Sequence, residues 1–481
     1  MFDKQRKLLL FVVFSTVFLA GIFVVSLIQQ AHDLPLEEEV PASDLANILE
    51  RGVLRASTNY NSTNYFIYRG EPMGFHLELL RQFASSLGVG LEIFVSNDLD
   101  ENFDCLLFGG GCDLIALDLT VTKSRRQTLQ FTEPHSQTRQ VLVQRKSNAS
   151  TQAASDDGSI YISNQVDLAG KTVYVQRNSA YVSRLQSLME EIGDTIYVVE
   201  MHEDMEQLIE MVSRGDIDYT VSDEHIARLN SSYYSNIDVH IPVSFEQHLS
   251  WAVKPGSVDL LDAINEWLID FKQTRQYSSI YNKYYRNPRG VFLAKSIMHS
   301  QGGGRVSAYD HYFKQYADMI GWDWRLLASL AYQESRFDPD AVSWAGAFGV
   351  MQLMPGTAEA YDVDHDSPVA EHIRAGANYL RWLDNLLSEH IVDDQERLKF
   401  VLASYNGGIG HVLDARRLAE KYGKNPNVWK DNVDYYVLNK SKPEYYKDPV
   451  VRFGYARGSE PFNYVNEILE RYAHYLNALA G

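Results

Sequence analysis

The chain has 481 residues, of which 45% are apolar and 22% charged, and its formal net charge is −19. This length and composition predict about three compact units with ordinary hydrophobic cores. The acidic balance argues against nucleic acid as a partner, because neutralising phosphates requires clustered Lys and Arg, and it gives no attraction to anionic lipid.

The N-terminal segment has the pattern of a membrane anchor. Basic residues at positions 4, 6 and 7 precede an uncharged apolar run over residues 8–28, which is long enough to cross a bilayer as a helix. The basic residues before the run would keep the N-terminus in the cytoplasm and send the rest of the chain outward. We therefore predict a signal or membrane anchor over 1–30. Cleavage as a signal peptide is the alternative, although no small-x-small cleavage pattern follows clearly.

After an acidic spacer over 31–50, strands alternate with helices as far as residue 285. The predicted strands cover 53–57, 91–95, 113–117, 172–175, 197–200 and 219–221. The predicted helices between them cover 74–87, 103–107, 180–192 and 203–213, and a further helix over 258–277 returns the chain to the first lobe. This alternation predicts a module of two similar α/β lobes with mostly parallel sheets over residues 51–285.

The only two cysteines, Cys105 and Cys112, flank three consecutive glycines. Outside the cytoplasm a disulfide between them is permitted, and the glycines allow the bend that its geometry requires. Two small buried thiols are the alternative, and the sequence leaves both open.

The last part of the chain is helical. Residues 286–305 contain Asn-Pro and three consecutive glycines, as is typical of a linker. Beyond it the apolar spacing predicts an all-α domain with a groove over 306–481. Its predicted helices include 309–320, a helix capped by Asp323 that carries Glu334, and 374–388, 397–405, 412–422 and 464–479.

Glu334 is the first candidate catalytic residue. It shares one helical face with Leu327, Leu330 and Ala331, so its carboxyl group is predicted to be partly desolvated. Desolvation raises the pKa of a carboxyl group, as a general acid near neutral pH requires. The helix is predicted to end at residues 337–339, because the residue before a proline is pushed out of the helical region.

The residues from Glu334 to Pro355, with Ser343, Gly349 and Gln352 among them, resemble the signature of the soluble lytic transglycosylase family, whose fold is similar to that of goose-type lysozyme. The stretch Ala-Ser-Tyr-Asn-Gly-Gly at 403–408 resembles the second motif of the family, and Tyr-Val at 464–465 resembles its third. The resemblance implies a catalytic Glu334 and a substrate-binding set of Ser343, Gly349, Met351, Gln352, Tyr405, Asn406 and Tyr464.

The resemblance also implies a route with one carboxyl group. Glu334 would protonate the oxygen between N-acetylmuramic acid and N-acetylglucosamine and then take a proton from the C6 hydroxyl of the muramic acid, which closes on C1 as a 1,6-anhydro ring. An intramolecular nucleophile gains from proximity, which lessens the need for a second carboxylate. Asp338 and Asp340 are the candidates for that second group if the reaction is instead a two-carboxylate hydrolysis.

The α/β module resembles the extracellular solute-binding family that captures polar amino acids. The resemblance rests on residues 119–126, on Phe-Thr-Glu-Pro at 131–134 and on Asp-Leu-Ala-Gly-Lys at 167–171. It implies that Thr122 and Arg125 hold a carboxylate, which a guanidinium binds through two hydrogen bonds. Asp223 would hold the ligand's amine, and Asn178 and Ser179 would present amides to it. The expected ligand is an amino acid or a cell-wall peptide.

The whole arrangement resembles the membrane-bound lytic transglycosylase F type. The expected partner is the glycan strand of peptidoglycan on the periplasmic side of the envelope, with attachment through the N-terminal segment. The apolar run favours the inner membrane, whereas the family is associated with the outer one. Closure of the lobes on a ligand is expected to alter access to the groove. The alternatives are a peptidoglycan-docking sensor without catalysis and a hydrolase of the goose-lysozyme kind.

We predict no cofactor and no required metal. The carboxylates of Asp362, Asp364 and Asp366 are spaced like the start of a calcium loop. However, Ser367 stands where such a loop needs glycine, and Ile373 stands where it needs the closing glutamate.

Overall fold

The computed structural model describes residues 44–108, 111–146, 161–286 and 305–479. The predicted anchor over 1–30 and most of the predicted linker therefore lie outside the described residues. Within the described ranges, no helix is both long and apolar enough to cross a membrane.

The N-terminal module consists of two sheets, with helices against them. The strands are β1 Val53–Thr58, β2 Phe66–Tyr68, β3 Glu71–Met73, β4 Gly90–Val95, β5 Leu114–Thr120, β6 Gln130–Phe131, β7 Ser136–Thr138, β8 Gln140–Arg145, β9 Thr172–Gln176, β10 Tyr197–Met201, β11 Tyr219–Asp223, β12 Ile237–Asp238 and β13 Gln247–Val253. The helices are α1 Asp44–Arg51, α2 Phe75–Leu87, α3 Leu99–Leu107, α4 Ala180–Ile192, α5 Met205–Arg214, α6 Glu224–Tyr233, α7 Val258–Phe271 and α8 Arg275–Tyr281.

The two sheets define two lobes. In the first lobe the strand order is β4-β1-β5-β13-β6, with β7 beside β13, and in the second it is β10-β9-β11-β8-β12. Strands β1, β4 and β5 are parallel, as are β9, β10 and β11, whereas β8 and β13 run antiparallel to their neighbours. The chain crosses between the lobes from β7 to β8 and returns from β12 to β13. The carboxyl ends of β5 and β11 therefore face a cleft between the lobes.

Three details of this module differ from the sequence prediction or complete it. Helix α3 begins at Leu99, not at 103, because the side chain of Asp98 caps it by accepting from the Asp100 amide. The single helix predicted over 258–277 is two helices, since Thr274 caps α8 through the Tyr277 amide. Cys105 and Cys112 form a disulfide, which decides between the two alternatives.

The C-terminal domain is helical, as predicted. Its helices are α9 Asp310–Ile320, α10 Trp324–Ser335, α11 Pro355–Ala360, α12 Val369–Ser388, α13 Asp394–Gly407, α14 Ile409–Lys421, α15 Asp434–Leu438, α16 Pro443–Tyr446 and α17 Ser459–Ala478. Asp323 caps α10 by accepting from the Arg325 amide. Helix α10 ends at Ser335, earlier than predicted, because Arg336 and Phe337 already have positive φ angles of 54° and 66°. Glu334 therefore lies in the last turn of the helix.

The hairpin formed by β2 and β3 joins the two modules. Ile67 is fully buried within the hydrophobic core of the helical domain. The Tyr475 hydroxyl on α17 donates to Gly70 O at 2.6 Å, and the Tyr332 hydroxyl on α10 donates to Glu71 Oε2 at 3.2 Å. The hairpin thus contacts both α10 and α17, the two helices that carry Glu334 and Tyr464.

Candidate functional site

The carboxyl group of Glu334 lies at the end of a buried helix. Leu327, Leu330 and Ala331 on the same face are fully buried, as the apolar spacing predicts. Burial raises the pKa of Glu334 to about 7, although the hydrogen bond from Tyr464 partly lowers it. Glu334 is therefore largely protonated at slightly acidic pH and titrates near neutrality, which suits a group that first donates a proton and then accepts one.

Tyr464, on α17, holds this carboxyl group. Its buried hydroxyl donates a hydrogen bond to Glu334 Oε1. Tyr405, on α13, also lies close enough for the charge of Glu334 to raise its pKa, behind the larger effect of burial. The Tyr405 hydroxyl donates to Met351 O at 2.8 Å, which joins the second motif to the loop that follows α10. The three motifs predicted from sequence thus meet around one carboxyl group.

The loop between α10 and α11 is held by its own polar side chains. Ser343 Oγ accepts from the Ala347 amide at 2.9 Å, and Ser335 Oγ donates to Val350 O at 2.9 Å. The amide nitrogen of Gln352 donates to Ala341 O and Gly349 O. Both bonds are donated by the side-chain nitrogen of Gln352, which therefore stabilises the loop.

Two residues of the predicted substrate set have packing roles. Met351 is fully buried and its side chain lies against Gly376, so the side chain packs in the core, whereas the resemblance implied contact with the substrate. Gly349 is buried with φ of 76°, and a Cβ there would come within 1.9 Å of His372 Nδ1. Glycine is therefore required at this position because His372 packs against it. The sequence had suggested that a ligand packs there.

Asn406, by contrast, is exposed at the mouth of a cavity. That cavity has a volume of about 330 Å³ and is also lined by Gly407, His411, Tyr455 and Arg457. Asn406 follows Tyr405 directly in the second motif, while Glu334 itself does not line this cavity. Asp338 and Asp340, the candidates for a second carboxylate, are exposed residues beyond the end of α10.

The second candidate site is the cleft between the lobes. A cavity of about 60 Å³ there is lined by Arg125, Ser179 and Asp223 from the predicted set, and by Asp118 and three asparagines, Asn59, Asn61 and Asn64. Burial raises the pKa of Asp223 to about 6. The Oδ1 atom of Asp223 and the Ser179 hydroxyl have no hydrogen-bond partner among the described residues. The cavity is therefore lined by one guanidinium and two carboxyl groups, those of Arg125, Asp118 and Asp223.

The remaining predicted ligand residues shape the rim of the cleft. Thr122 Oγ1 accepts from the Arg125 amide and so fixes the turn that presents the guanidinium. Asn178, with φ of 56°, accepts from Arg125 Nη2 through its carbonyl oxygen, and its side chain donates to Asp100. Asn178 thus connects the two lobes at the rim of the cleft. It contacts Arg125 through its backbone carbonyl oxygen.

One group of side chains near the cleft lies close enough together to hold a metal ion: His76, Asp118 and His135. The hydrogen bonds of the histidines do not fit that role. The Trp251 indole N–H donates to His76 Nδ1 at 3.1 Å, which places the proton of a neutral ring on Nε2, facing Asp118. His135 Nε2 likewise faces the carbonyl of Leu117. Among the described residues, His76 Nε2 and both oxygens of Asp118 have no hydrogen-bond partner, and the histidines lie at ion-pair distances of 3.2 and 3.9 Å from Asp118.

Comparison with known proteins assigns both parts of the chain. The family model of the transglycosylase SLT domain matches residues 311–428, and that of the bacterial extracellular solute-binding proteins, family 3, matches residues 54–287. A membrane-bound lytic murein transglycosylase F of Desulfosudis oleivorans is 36% identical, with 89% of this chain and 91% of the relative covered. The chain belongs to the membrane-bound lytic murein transglycosylase F family. A second member, from Stutzerimonas stutzeri, is 33% identical and covers 89% of this chain and 86% of its own.

Membership of the lytic transglycosylase F family confirms the predicted fold class and the prediction of an enzyme with a solute-binding module. It does not favour the sensor without catalysis or the lysozyme-like hydrolase. Among solved structures, the P235GK mutant of ArgBP from T. maritima covers 51% of this chain and 100% of its own, at 25% identity and a TM-score of 0.43.

Two features of the candidate sites have no local sequence signal. Asp118 is a single acidic residue within a buried strand, and only the folded sheet brings it to the cleft beside Asp223. The contact of Tyr464 with Glu334 joins residues 130 positions apart. A sequence pattern indicates which residues lie near a groove, but it does not indicate which side chains form hydrogen bonds with each other.

Tyr464→Phe tests the role of that hydroxyl. Because the hydrogen bond lowers the pKa of Glu334, its loss is expected to raise that pKa further and to free the carboxyl group. We expect the rate of glycan cleavage to fall about tenfold or more. The decline of activity with rising pH should also move to higher pH. An unchanged pH profile would show that the hydrogen bond from Tyr464 does not set the pKa of Glu334. Tyr435→Phe, at an exposed tyrosine on α15, is the control.

Proposed function

We propose that this chain cleaves the bond between N-acetylmuramic acid and N-acetylglucosamine in peptidoglycan and leaves a 1,6-anhydro end. The observation that carries this proposal is the state of Glu334, a desolvated carboxyl group with a pKa of about 7, held by Tyr464. A group of that kind can donate a proton to the glycosidic oxygen and then accept one at the same pH.

A single carboxyl group suits an intramolecular reaction. Burial raises the pKa of Glu334 and the hydrogen bond from Tyr464 lowers it, and no other acidic side chain of the described residues is among the causes of the shift. A hydrolase of the two-carboxylate kind would need a second carboxylate about 5–9.5 Å away to act as a nucleophile or to activate water. The substrate's own C6 hydroxyl replaces that group, because it is already attached to the sugar and close to C1.

Asn406, Ser343 and the carbonyl oxygen of Gln352 are the residues we assign to sugar binding. Tyr405 supports them from the second motif, through its bond to the Met351 carbonyl. In this assignment Gly349 and the side chain of Met351 act only by packing, and Tyr464 acts on Glu334.

Mass spectrometry of digested peptidoglycan tests the proposal. Anhydro-muramic ends are expected from the full chain, and none from a Glu334→Gln variant. Reducing ends would instead indicate a hydrolase, and undigested peptidoglycan would indicate a docking protein.

For the N-terminal module we propose the binding of a small ligand with a carboxylate and an amine, either an amino acid or a cell-wall peptide. Arg125 faces the carboxylate and Asp223 the amine, and both line the same cavity. We take the module to cover residues 51–285, the linker 286–305 and the catalytic domain 306–481.

We also propose that residues 8–28 attach the chain to the inner membrane with both modules on the periplasmic side. Membrane fractionation tests this placement.

Ligand binding and catalysis are coupled in this proposal through the β2–β3 hairpin. The hairpin belongs to the first lobe, yet it packs between α10 and α17 at Tyr332 and Tyr475. A ligand shifts the activity only if it binds two conformations of the module with different affinities. If the yield of anhydro product stays constant across saturating amino acids and stem peptides, the coupling is excluded.

A further inference from the structure

A buried charged pair joins the two lobes at the base of the cleft. Asp118 lies on β5 of the first lobe, and His225 lies in the first turn of α6 of the second. His225 Nε2 is 3.4 Å from Asp118 Oδ2, and the side chains are only 15% and 7% exposed. His76 Nε2 lies 3.2 Å from the other carboxylate oxygen, and His135 Nε2 lies 3.9 Å from it.

The surroundings of His225 favour its charged form. Its Nδ1 is 3.2 Å from Thr138 Oγ1, and that hydroxyl donates to Arg139 O. The hydroxyl is therefore free to accept, so Nδ1 carries a proton, while Nε2 faces Asp118 at ion-pair distance and has no hydrogen-bond partner among the described residues. Burial works against this charge, but the carboxylates of Asp118, Asp223 and Glu224 outweigh it and raise the pKa of His225.

Among the groups that pack against His225, Asp118 is the carboxylate that forms an ion pair with the imidazole ring. The Tyr285 ring covers the imidazole edge-to-face, with the ring centroids 4.7 Å apart. Glu224 is engaged by Arg139 and Arg228. Asp118 is ionised, because His76 and His225 hold its pKa well below its ordinary value despite burial. In this structure the protonated His225 of the second lobe therefore neutralises the carboxylate of Asp118 in the cleft.

Asp118 also lines the ligand cavity with Asp223 and Arg125. One guanidinium and two carboxylates match a ligand with one carboxylate and a free ammonium group. The cavity of about 60 Å³ has room for roughly two water molecules. A whole amino acid therefore requires the lobes to part, which breaks contacts such as that of Asn97 Nδ2 with Asp204 Oδ2 at 2.7 Å.

We infer that His225 is an internal counter-ion for Asp118, and that the ammonium group of a ligand replaces it there, with release of one proton from the imidazole ring to solvent. This inference rests on the proposed ligand-binding role of the module and specifies the ligand chemistry: a free amine is required. An N-acylated amino acid, whose nitrogen is a neutral amide, cannot replace His225 at Asp118.

The pH dependence follows from the direction of the shift. The ligand removes the carboxylate that keeps His225 protonated, so the pKa of His225 falls on binding and a proton is released. Protonated His225 competes with the ligand for Asp118. Affinity is therefore expected to fall as the pH drops through the raised pKa of His225.

Calorimetry on the full chain tests the inference. The twenty free amino acids are screened by thermal shift, and the one with the largest shift is titrated in two buffers that differ in ionisation enthalpy. We expect release of up to one proton per ligand, and binding of the N-acetyl derivative to be at least about tenfold weaker. Both measurements use the unsubstituted protein, so they do not depend on the folding of a variant.

Two variants assign the effect to residues. His225→Gln should abolish the proton release and make the affinity independent of pH in this range, and Asp118→Asn should weaken binding at least about tenfold. His240→Gln is the matched control. Like His225, His240 pairs with an aspartate, in this case Asp238, but it is exposed and lies away from Asp118. It should leave the proton release unchanged.

Three results would overturn the inference. Equal binding of the N-acetyl derivative, or proton release that persists in His225→Gln, would do so and leave the ligand-binding role of the module intact. The absence of binding by any of the twenty amino acids would remove both the inference and the amino acid as the proposed ligand, and would leave the cell-wall peptide as the ligand of the module. Release of anhydro product from peptidoglycan is measured separately and does not depend on any of these results.

Discussion

Glu334→Gln is expected to reduce the release of anhydro product from peptidoglycan by about 10³-fold or more, because glutamine can neither donate the proton to the glycosidic oxygen nor accept one from the C6 hydroxyl. The substitution keeps the size of the side chain and an oxygen that still accepts from Tyr464. Folding should therefore be retained. Glu359→Gln, at an exposed glutamate on α11, is the control and should keep full activity.

The same substitution has an expected effect on stability. The pKa of Glu334 is raised from 4.5 to about 7 by burial, so the folded state binds a proton more tightly than the unfolded chain. Stability from this group is therefore present at acidic pH and is lost as the pH rises from 4.5 through about 7, by up to about 3 kcal/mol. Glu334→Gln removes that loss. The variant should melt at a higher temperature than the unsubstituted protein at pH 8 and show a smaller difference at pH 5. Equal melting temperatures at pH 8 would contradict the assigned burial.

Gly70→Ala is expected to have the second-largest effect, on both stability and activity. Gly70 has φ of 82°, and a Cβ there would lie 2.6–2.8 Å from Phe337, Tyr332 and the Tyr475 hydroxyl. The methyl group must push the hairpin away from α10 and α17, at a cost of about 1–3 kcal/mol beyond the backbone strain. We expect a lower melting temperature and a several-fold lower rate of cleavage, since α10 and α17, which carry Glu334 and Tyr464, lose their contacts with the hairpin.

Gly52→Ala is the control that separates the steric clash of a Cβ at Gly70 from the backbone strain of a positive φ angle. Gly52 belongs to the same module and has φ of 71°, but a Cβ there meets nothing within 4 Å. Its variant should show only the cost of a left-handed backbone in alanine, about 1 kcal/mol, with unchanged cleavage. Equal loss of activity in both variants would mean that the hairpin does not position the catalytic helices.

The sequence predicts the architecture well where periodicity is strong. Helix α4 has the predicted bounds, and the buried strands fall within two or three residues of prediction, because apolar spacing directly reports which face is buried. Boundaries set by side-chain caps were missed, as at Asp98 and Thr274. Such caps are decided by single hydrogen bonds.

The site was predicted unevenly, for a physical reason. Glu334, Arg125 and Asp223 lie where motifs and strand ends place them. No sequence pattern indicates the pair formed by Asp118 and His225, because its members are 107 positions apart on different lobes. The burial of Met351 was also missed, since an apolar residue in a motif fits a core and a groove equally well. The hairpin contact depends on how two modules pack, which periodicity within either one cannot reveal.

Digestion of peptidoglycan in ¹⁸O-labelled water, followed by mass spectrometry of the new glycan ends, tests the central claim most directly. If Glu334 serves both proton transfers and the C6 hydroxyl is the nucleophile, every new end is a 1,6-anhydro end without ¹⁸O. New reducing ends that carry ¹⁸O would contradict the claim, because they would show that water attacks C1.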